Sequence, residues 1–127
     1  MRRVTGIGGI FFKAKDPKAM YAWYEKHLGM AKDAATHTVT FVSKDPQTGE
    51  EAHTYWSLFK QDTNYLEPST SSFMINYRVA DMDVVVSALE AEGVKILGRQ
   101  DEDYGRFAWI MDPEGNKIEL WAPAKSK

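Results

Sequence analysis

One internal repeat constrains this chain more than any other feature. Gly9-Ile10-Phe11-Phe12-Lys13-Ala14-Lys15-Asp16 aligns position by position with Met74-Ile75-Asn76-Tyr77-Arg78-Val79-Ala80-Asp81, at an offset of 65. Aromatic and β-branched residues alternate with polar ones in both segments, so each predicts a strand. Each ends on an Asp that suits a helix N-cap. The helix after Asp16 has Pro17 at its first position, where a missing N–H costs no bond. Ala19, Met20, Trp23, Tyr24 and Leu28 then recur at helical spacing, and Gly29 is the stop. In the second half Val85, Ala88 and Leu89 share a helical face, and Gly93 ends it. The halves also close alike. Asp45-Pro46-Gln47-Thr48-Gly49 and Asp112-Pro113-Glu114-Gly115-Asn116 are turn signals. Strands are predicted on either side of each turn, at residues 38–42 and 52–59, and at 106–111 and 117–121. Short segments at 31–33 and 94–97 supply one more strand per half. The expected order is β-α-β-β-β, twice.

A module of about 55 residues buries a helix and a sheet face poorly by itself. The 127 residues therefore read as a single domain over 1–127. Module one runs about 4–60, a polar linker 61–72, and module two 73–122. The expected fold is α+β, with two modules forming a curved mixed sheet around a cleft, a usual place for a small ligand. A net charge of −2 argues against nucleic acid as a partner. The absence of cysteine removes disulfides, thiolate metal sites and thiol nucleophiles. The apolar stretch from Ile7 to Phe12 is too short for an export signal. No run approaches the ~18 apolar residues of a membrane helix. The expected location is cytoplasmic, with no membrane partner.

Strand, Asp and helix ending at Leu28-Gly29, the strand closing at Val79-Ala80-Asp81, and the ending Asp112-Pro113-Glu114-Gly115-Asn116-Lys117-Ile118-Glu119-Leu120 together resemble the vicinal oxygen chelate superfamily. That group includes glyoxalase I, bleomycin-resistance proteins, fosfomycin-resistance enzymes and extradiol dioxygenases. The resemblance covers about residues 4–122. It implies four metal-ligating cleft positions, on the first and last strands of each module, filled by His, Glu or Gln, His, and Glu. Glu119 matches the last. The first falls on Gly9, which has no side chain, and the third on Met74, whose thioether is a poor ligand for such ions. Aligning the two Asp-Pro turns puts the second on His53, and counting back from Met74 points to Trp56. At most His53 and Glu119 survive, where a catalytic divalent site normally keeps three protein ligands. The expectation is a protein without cofactor that binds a small, partly aromatic or carbonyl- or carboxylate-bearing molecule. The alternative is a lyase or isomerase of the glyoxalase I type, with zinc, nickel, manganese or iron on His53 and Glu119. A third reading is a metal-free enzyme with Glu119 as general base, and whether the chain is an enzyme stays open. The resemblance also implies a homodimer, with modules paired within one chain or exchanged between two.

Several residues are candidates for the cleft. Glu119 is either a cleft acid or base, or a rim carboxylate paired with Lys13 or Arg78. Lys13 and Arg78 each follow a lost ligand position by four residues, so they share its face. They suit an anionic or carbonyl-bearing ligand, Arg78 through its planar fork. Phe11, Asn76, Tyr55 and Ser57 fall on candidate cleft faces by parity. Met74 lies at the lost ligand position itself. Trp56, Trp109 and Trp121 are candidates for an aromatic pocket, and Tyr104 and Arg106 for its rim. His27 suits a helix C-terminus, and His37 is expected to face solvent. Gly6-Ile7-Gly8-Gly9 precedes a strand rather than following one, so it is not a dinucleotide fingerprint.

Overall fold

Both halves fold as a strand, a capped helix and a closing hairpin. A computed structural model of the chain describes residues 3–124. The elements are β1 (Val4–Ala14), α1 (Pro17–Leu28), β2 (Val39–Lys44), β3 (Glu51–Lys60), β4 (Phe73–Val79), α2 (Met82–Ala91), β5 (Gly98–Glu102), β6 (Gly105–Met111) and β7 (Lys117–Pro123). The repeated capping signals act as the sequence implies. The Asp16 carboxylate accepts the Ala19 N–H at 3.1 Å, and the Asp81 carboxylate accepts the Val84 N–H at 3.1 Å. Gly29 takes φ 70°, where a Cβ would be strained, and donates its N–H to the Glu25 carbonyl.

The strands form one seven-stranded mixed sheet, in the order β2-β3-β1-β4-β7-β6-β5. In each half the first strand pairs in parallel with the last, β1 with β3 and β4 with β7. The helix is the crossover that a parallel pair requires. Antiparallel pairing of β1 with β4 joins the halves, setting Gly9 opposite Asn76 and Phe11 opposite Met74.

Both helices lie on the same face. α1 covers Ala14, Val39, Trp56 and Leu58, with Phe12, Tyr21 and Tyr24 packed against them. α2 covers Val79, Ala108, Ile110, Leu120 and Ala122. Alternation along each strand turns the remaining set to the helix-free face. Trp56 therefore does not line a cleft. It is buried under α1, with its ring centroid 4.6 Å from that of Tyr24 and 5.4 Å from that of Phe12.

The strands expected at 31–33 and 94–97 are absent. In the first half, Asp33 donates its N–H to the Thr38 carbonyl and accepts the His37 N–H, both at 2.7 Å. This closes a tight loop before β2, and the first half has one strand fewer than the second. In the second half the strand is shifted to the polar run Gly98–Glu102. Val94 and Ile96 instead pack against the α2 core. Apolar content marked the wrong segment because an edge strand tolerates charge, which protects its open side.

At the start of α2, Asp83 holds Arg106 at 2.9 Å and Arg99 at 3.0 Å, so Arg106 belongs to this surface cluster. Hydrogen bonds from Arg106 and then Arg99 hold the Asp83 carboxyl down at about 2, against an ordinary 3.8. A depressed carboxyl contributes stability above its unfolded value and loses it as pH falls toward the folded one. The melting temperature is therefore expected to fall from about pH 4 to pH 2, and Asp83→Asn to flatten part of that slope. Melting curves across this range check it, and parallel slopes would contradict it. Among the described residues, no helix is long and apolar enough to cross a membrane.

Candidate functional site

Glu119 is the chemical centre of the helix-free face. It sits in the middle of β7, between Asn76 of β4 and Trp109 of β6, and only 3% of it is exposed. A buried carboxylate needs donors, and three supply them. Asn76 Nδ2–H donates to Oε1 at 2.7 Å, and Trp109 Nε1–H donates to Oε2 at 2.9 Å. The Tyr65 hydroxyl donates to Oε2 through a short hydrogen bond. Burial first, and then the charge of Glu119, push the Tyr65 phenol above its ordinary range, which keeps it a donor. Among the described residues Glu119 forms no ion pair with Lys13 or Arg78.

Aromatic rings spread outward from this carboxylate. Tyr65 meets Phe59 at 5.5 Å and Trp109 at 6.4 Å, and Phe11 stacks on Phe59 at 5.4 Å. On the other side Phe107 stacks on Trp109 at 6.2 Å and on Trp121 at 6.3 Å, and Tyr55 meets Trp121 at 5.9 Å. A hollow of about 420 Å³ opens beside Phe59 and Tyr65, lined also by Leu58, Lys60, Asp62 and Thr63. Lys117 lies two residues before Glu119 on the same face. Its ammonium is 5.3 Å from the Tyr65 ring centroid and 5.8 Å from that of Trp109, and it donates to the Tyr65 carbonyl at 2.6 Å. Burial pulls the Lys117 amine down, opposed by Glu119 and Glu67.

The glycine run of β1 has a steric role here. A Cβ on Gly8 would stand 2.3 Å from Asn76 Oδ1 and 2.8 Å from Trp121 Cε3. On Gly6 it would stand 2.3 Å from Arg78 Nη2, and on Gly9 2.5 Å from Phe11 Cζ. Backbone without side chains lets these four groups lie flat across β1. Asn76 Oδ1 and Trp121 Nε1 remain buried without a hydrogen-bond partner among the described residues.

The other candidates are dispersed. Arg78 Nη1 donates to the Ile7 and His53 carbonyls, both at 2.7 Å, so one nitrogen of its fork is engaged by main chain. Lys13 shares the face through strand alternation, and its backbone N–H donates to the Ser72 carbonyl. The Ser57 hydroxyl lies 3.2 Å from the Tyr21 hydroxyl, and Met74 is completely buried. Tyr104 is exposed and touches Phe107. His53 Nδ1 lies 3.3 Å from the Tyr55 hydroxyl, and its Nε2 3.9 Å from Glu51.

Strand register corrects one equivalence. Phe11 faces Ser57, as Asn76 faces Glu119. Phe11 and Asn76 are the repeat partners, so Ser57 is the first-half counterpart of Glu119, and His53 is not. Turn alignment fails because β3 is ten residues long and β7 seven. In this register the four positions that the resemblance implies fall on Gly9, Ser57, Met74 and Glu119. Among the described residues, no three His, Cys, Asp or Glu side chains come together as metal ligands. This donor set does not fit a resident catalytic divalent ion.

Phe59, Phe107 and Tyr65 complete the site without having been singled out in the sequence. Phe59 and Phe107 were within reach, since each lies two residues from a candidate on its own strand. Tyr65 had no such signal, because the polar linker carries no periodicity.

Residues 9–121 match the family model for the glyoxalase-like domain. The chain belongs to that family. As a glyoxalase-like chain of the vicinal oxygen chelate superfamily, it has solved neighbours that share its fold. The methylmalonyl-CoA epimerase of Mycobacterium tuberculosis is 21% identical, at a TM-score of 0.61, with 98% of this chain and 92% of that one covered. A variant of the Streptomyces coelicolor methylmalonyl-CoA epimerase, in complex with 2-nitronate-propionyl-CoA, is 18% identical, at a TM-score of 0.69 with 98% of each chain covered. A glyoxalase/bleomycin resistance protein/dioxygenase superfamily member from Vibrio splendidus is 13% identical, at a TM-score of 0.57, with 91% and 97% covered. No curated protein matches the chain at a significant level.

Proposed function

We propose that this glyoxalase-like domain binds a flat, partly aromatic molecule with a carbonyl or carboxylate group, without a divalent metal. The observation that carries this reading is the aromatic surface around Glu119, from Tyr55 and Trp121 through Trp109 and Tyr65 to Phe59. Stacked rings favour a flat apolar body. Lys13 and Lys117 on the same face suit its polar end. The degenerate ligand set, with Gly9 and Met74 where the family's metal enzymes use histidine, removes the usual means of holding an ion. The neighbours named as epimerases of a CoA thioester carry a carbonyl compound in the same fold, which supports a carbonyl-bearing ligand here. The reading includes a homodimer in the cytoplasm.

Naphthoate is a suitable probe, read by quenching of tryptophan fluorescence. Saturable quenching is expected, with a raised melting temperature. Trp121→Ala should weaken binding by about tenfold, because one stacking ring is lost. Phe107→Leu, which keeps an apolar side chain, should weaken it in the same direction. Absence of saturable quenching, or an affinity in both variants equal to that of the unaltered protein, would overturn the reading.

A further inference from the structure

We infer that Lys117 is a covalent binding residue, whose amine forms an imine with a flat aromatic aldehyde seated on the helix-free face. The inference rests on the reading above, that this face binds flat small molecules.

Three observations carry it. Lys117 Nζ stands over two rings of the aromatic surface, 5.3 Å from the Tyr65 centroid and 5.8 Å from that of Trp109. An aldehyde stacked on those rings brings its carbonyl carbon within reach of the amine. Such proximity is the main advantage a bound carbonyl has over one in bulk water. Secondly, Lys117 forms no ion pair with a carboxylate among the described residues. Among the described residues its one hydrogen bond is to the Tyr65 carbonyl, which an amine can keep while its lone pair turns to the ligand. Arg78, by contrast, is tied to two backbone carbonyls. Thirdly, the product suits the site. A protonated imine is a cation, and the ring faces that hold the ammonium hold it equally. The Glu119 carboxylate, two residues along the strand, supplies the opposite charge.

The chemistry balances without another reactant. The neutral amine attacks the carbonyl carbon, a C–N bond forms, and the oxygen takes a proton to give a carbinolamine. The nitrogen lone pair then forms C=N as the C–O bond breaks, and the hydroxyl leaves with a proton as one water. One aldehyde and one amine give one imine and one water, with no change of oxidation state.

The test treats the whole protein with naphthaldehyde and traps the imine by cyanoborohydride reduction to a secondary amine. Peptide mass spectrometry then locates the adduct. Lys117 is expected to be labelled faster than the exposed lysines, with a rate that saturates in aldehyde. Lys117→Arg keeps the charge and the donor, and should lose this adduct while labelling elsewhere is unchanged. Naphthylmethanol, with the same rings and no carbonyl, is titrated in parallel by tryptophan quenching. If the alcohol binds saturably and Lys117 is labelled no faster than other lysines, the imine inference falls and the aromatic reading stands. If the alcohol does not bind and labelling is unselective, both fall.

Discussion

Glu119→Leu is expected to destabilise the protein by about 3 kcal/mol, because it strands the buried Asn76 donor and the half-buried Trp109 donor, at a cost of up to about 1–3 kcal/mol each. Asn76 Nδ2–H and Trp109 Nε1–H both point at this carboxylate. Tyr65 is 40% exposed, so its hydroxyl turns to water and adds little. For a chain of this size the melting temperature should drop by about 12 °C. Glu119→Gln separates the hydrogen bonds from the charge. With its amide oxygen in place of Oε2, the acceptor for Tyr65 and Trp109 remains. The new amide NH₂ then faces Asn76, whose Oδ1 is buried without a partner among the described residues. A flip of the Asn76 amide lets that oxygen accept. The count of unpaired groups does not change and a buried charge is gone, so a cost below about 1 kcal/mol is expected. Thermal and denaturant melts of both variants give the comparison. Equal losses would mean that the charge, and not donor satisfaction, sets the role of Glu119. A double-mutant cycle with Asn76→Ala should show a coupling of about 1 kcal/mol or more.

Much of this arrangement was legible in the sequence, and the rest failed for physical reasons. The repeat at offset 65 carries both first strands and both N-cap aspartates, because each depends on local patterning. Period-2 alternation also put Phe11, Tyr55, Ser57 and Asn76 on cleft faces, and Lys13 and Arg78 on the faces of Gly9 and Met74, whereas Glu119 came from the family position and Trp109 and Trp121 from residue type. Register between the strands was not readable, since it depends on loop lengths that differ between the halves. That is why His53 stood in for Ser57. Trp56 was misplaced for a different reason. It stands between Tyr55 and Ser57, so alternation turns it to the opposite face, and its place in an aromatic pocket rested on residue type alone. The partners of Arg78 were equally hidden, because Nη1 donates to carbonyls of Ile7 and His53 that no side-chain pattern announces. For glycine at 6, 8 and 9 the sequence excluded only a dinucleotide fingerprint. Its actual role, a floor for Asn76, Trp121, Arg78 and Phe11, needs the third dimension.

The linker contains the least legible part of the site, and it leads to the second large effect. Composition marks residues 61–72 as a polar loop, yet Leu66 within it is completely buried and Ser69 is 6% exposed. Ser69 Oγ–H donates to the Gly115 carbonyl and Ser71 Oγ–H to Asn116 Oδ1, both at 2.6 Å. The segment is thus a strap fastened to the β6–β7 turn, with Leu66 as its anchor. Leu66→Ala should behave as a core truncation and cost about 3 kcal/mol, within the ~2–5 kcal/mol of a buried leucine. The melting temperature should fall by about 12 °C. Truncating the exposed neighbour Asn64 to alanine should stay within about 0.5 kcal/mol. The substitution should reach the site as well. Tyr65, next in the chain, donates to Glu119 and receives Lys117 on its carbonyl, and its position depends on the anchor. Naphthoate affinity should therefore fall in Leu66→Ala at temperatures where the protein is still folded. A loss of stability with unchanged affinity would mean that Tyr65 is held by Glu119 alone. A loss under about 0.5 kcal/mol would mean that the strap is an ordinary surface loop.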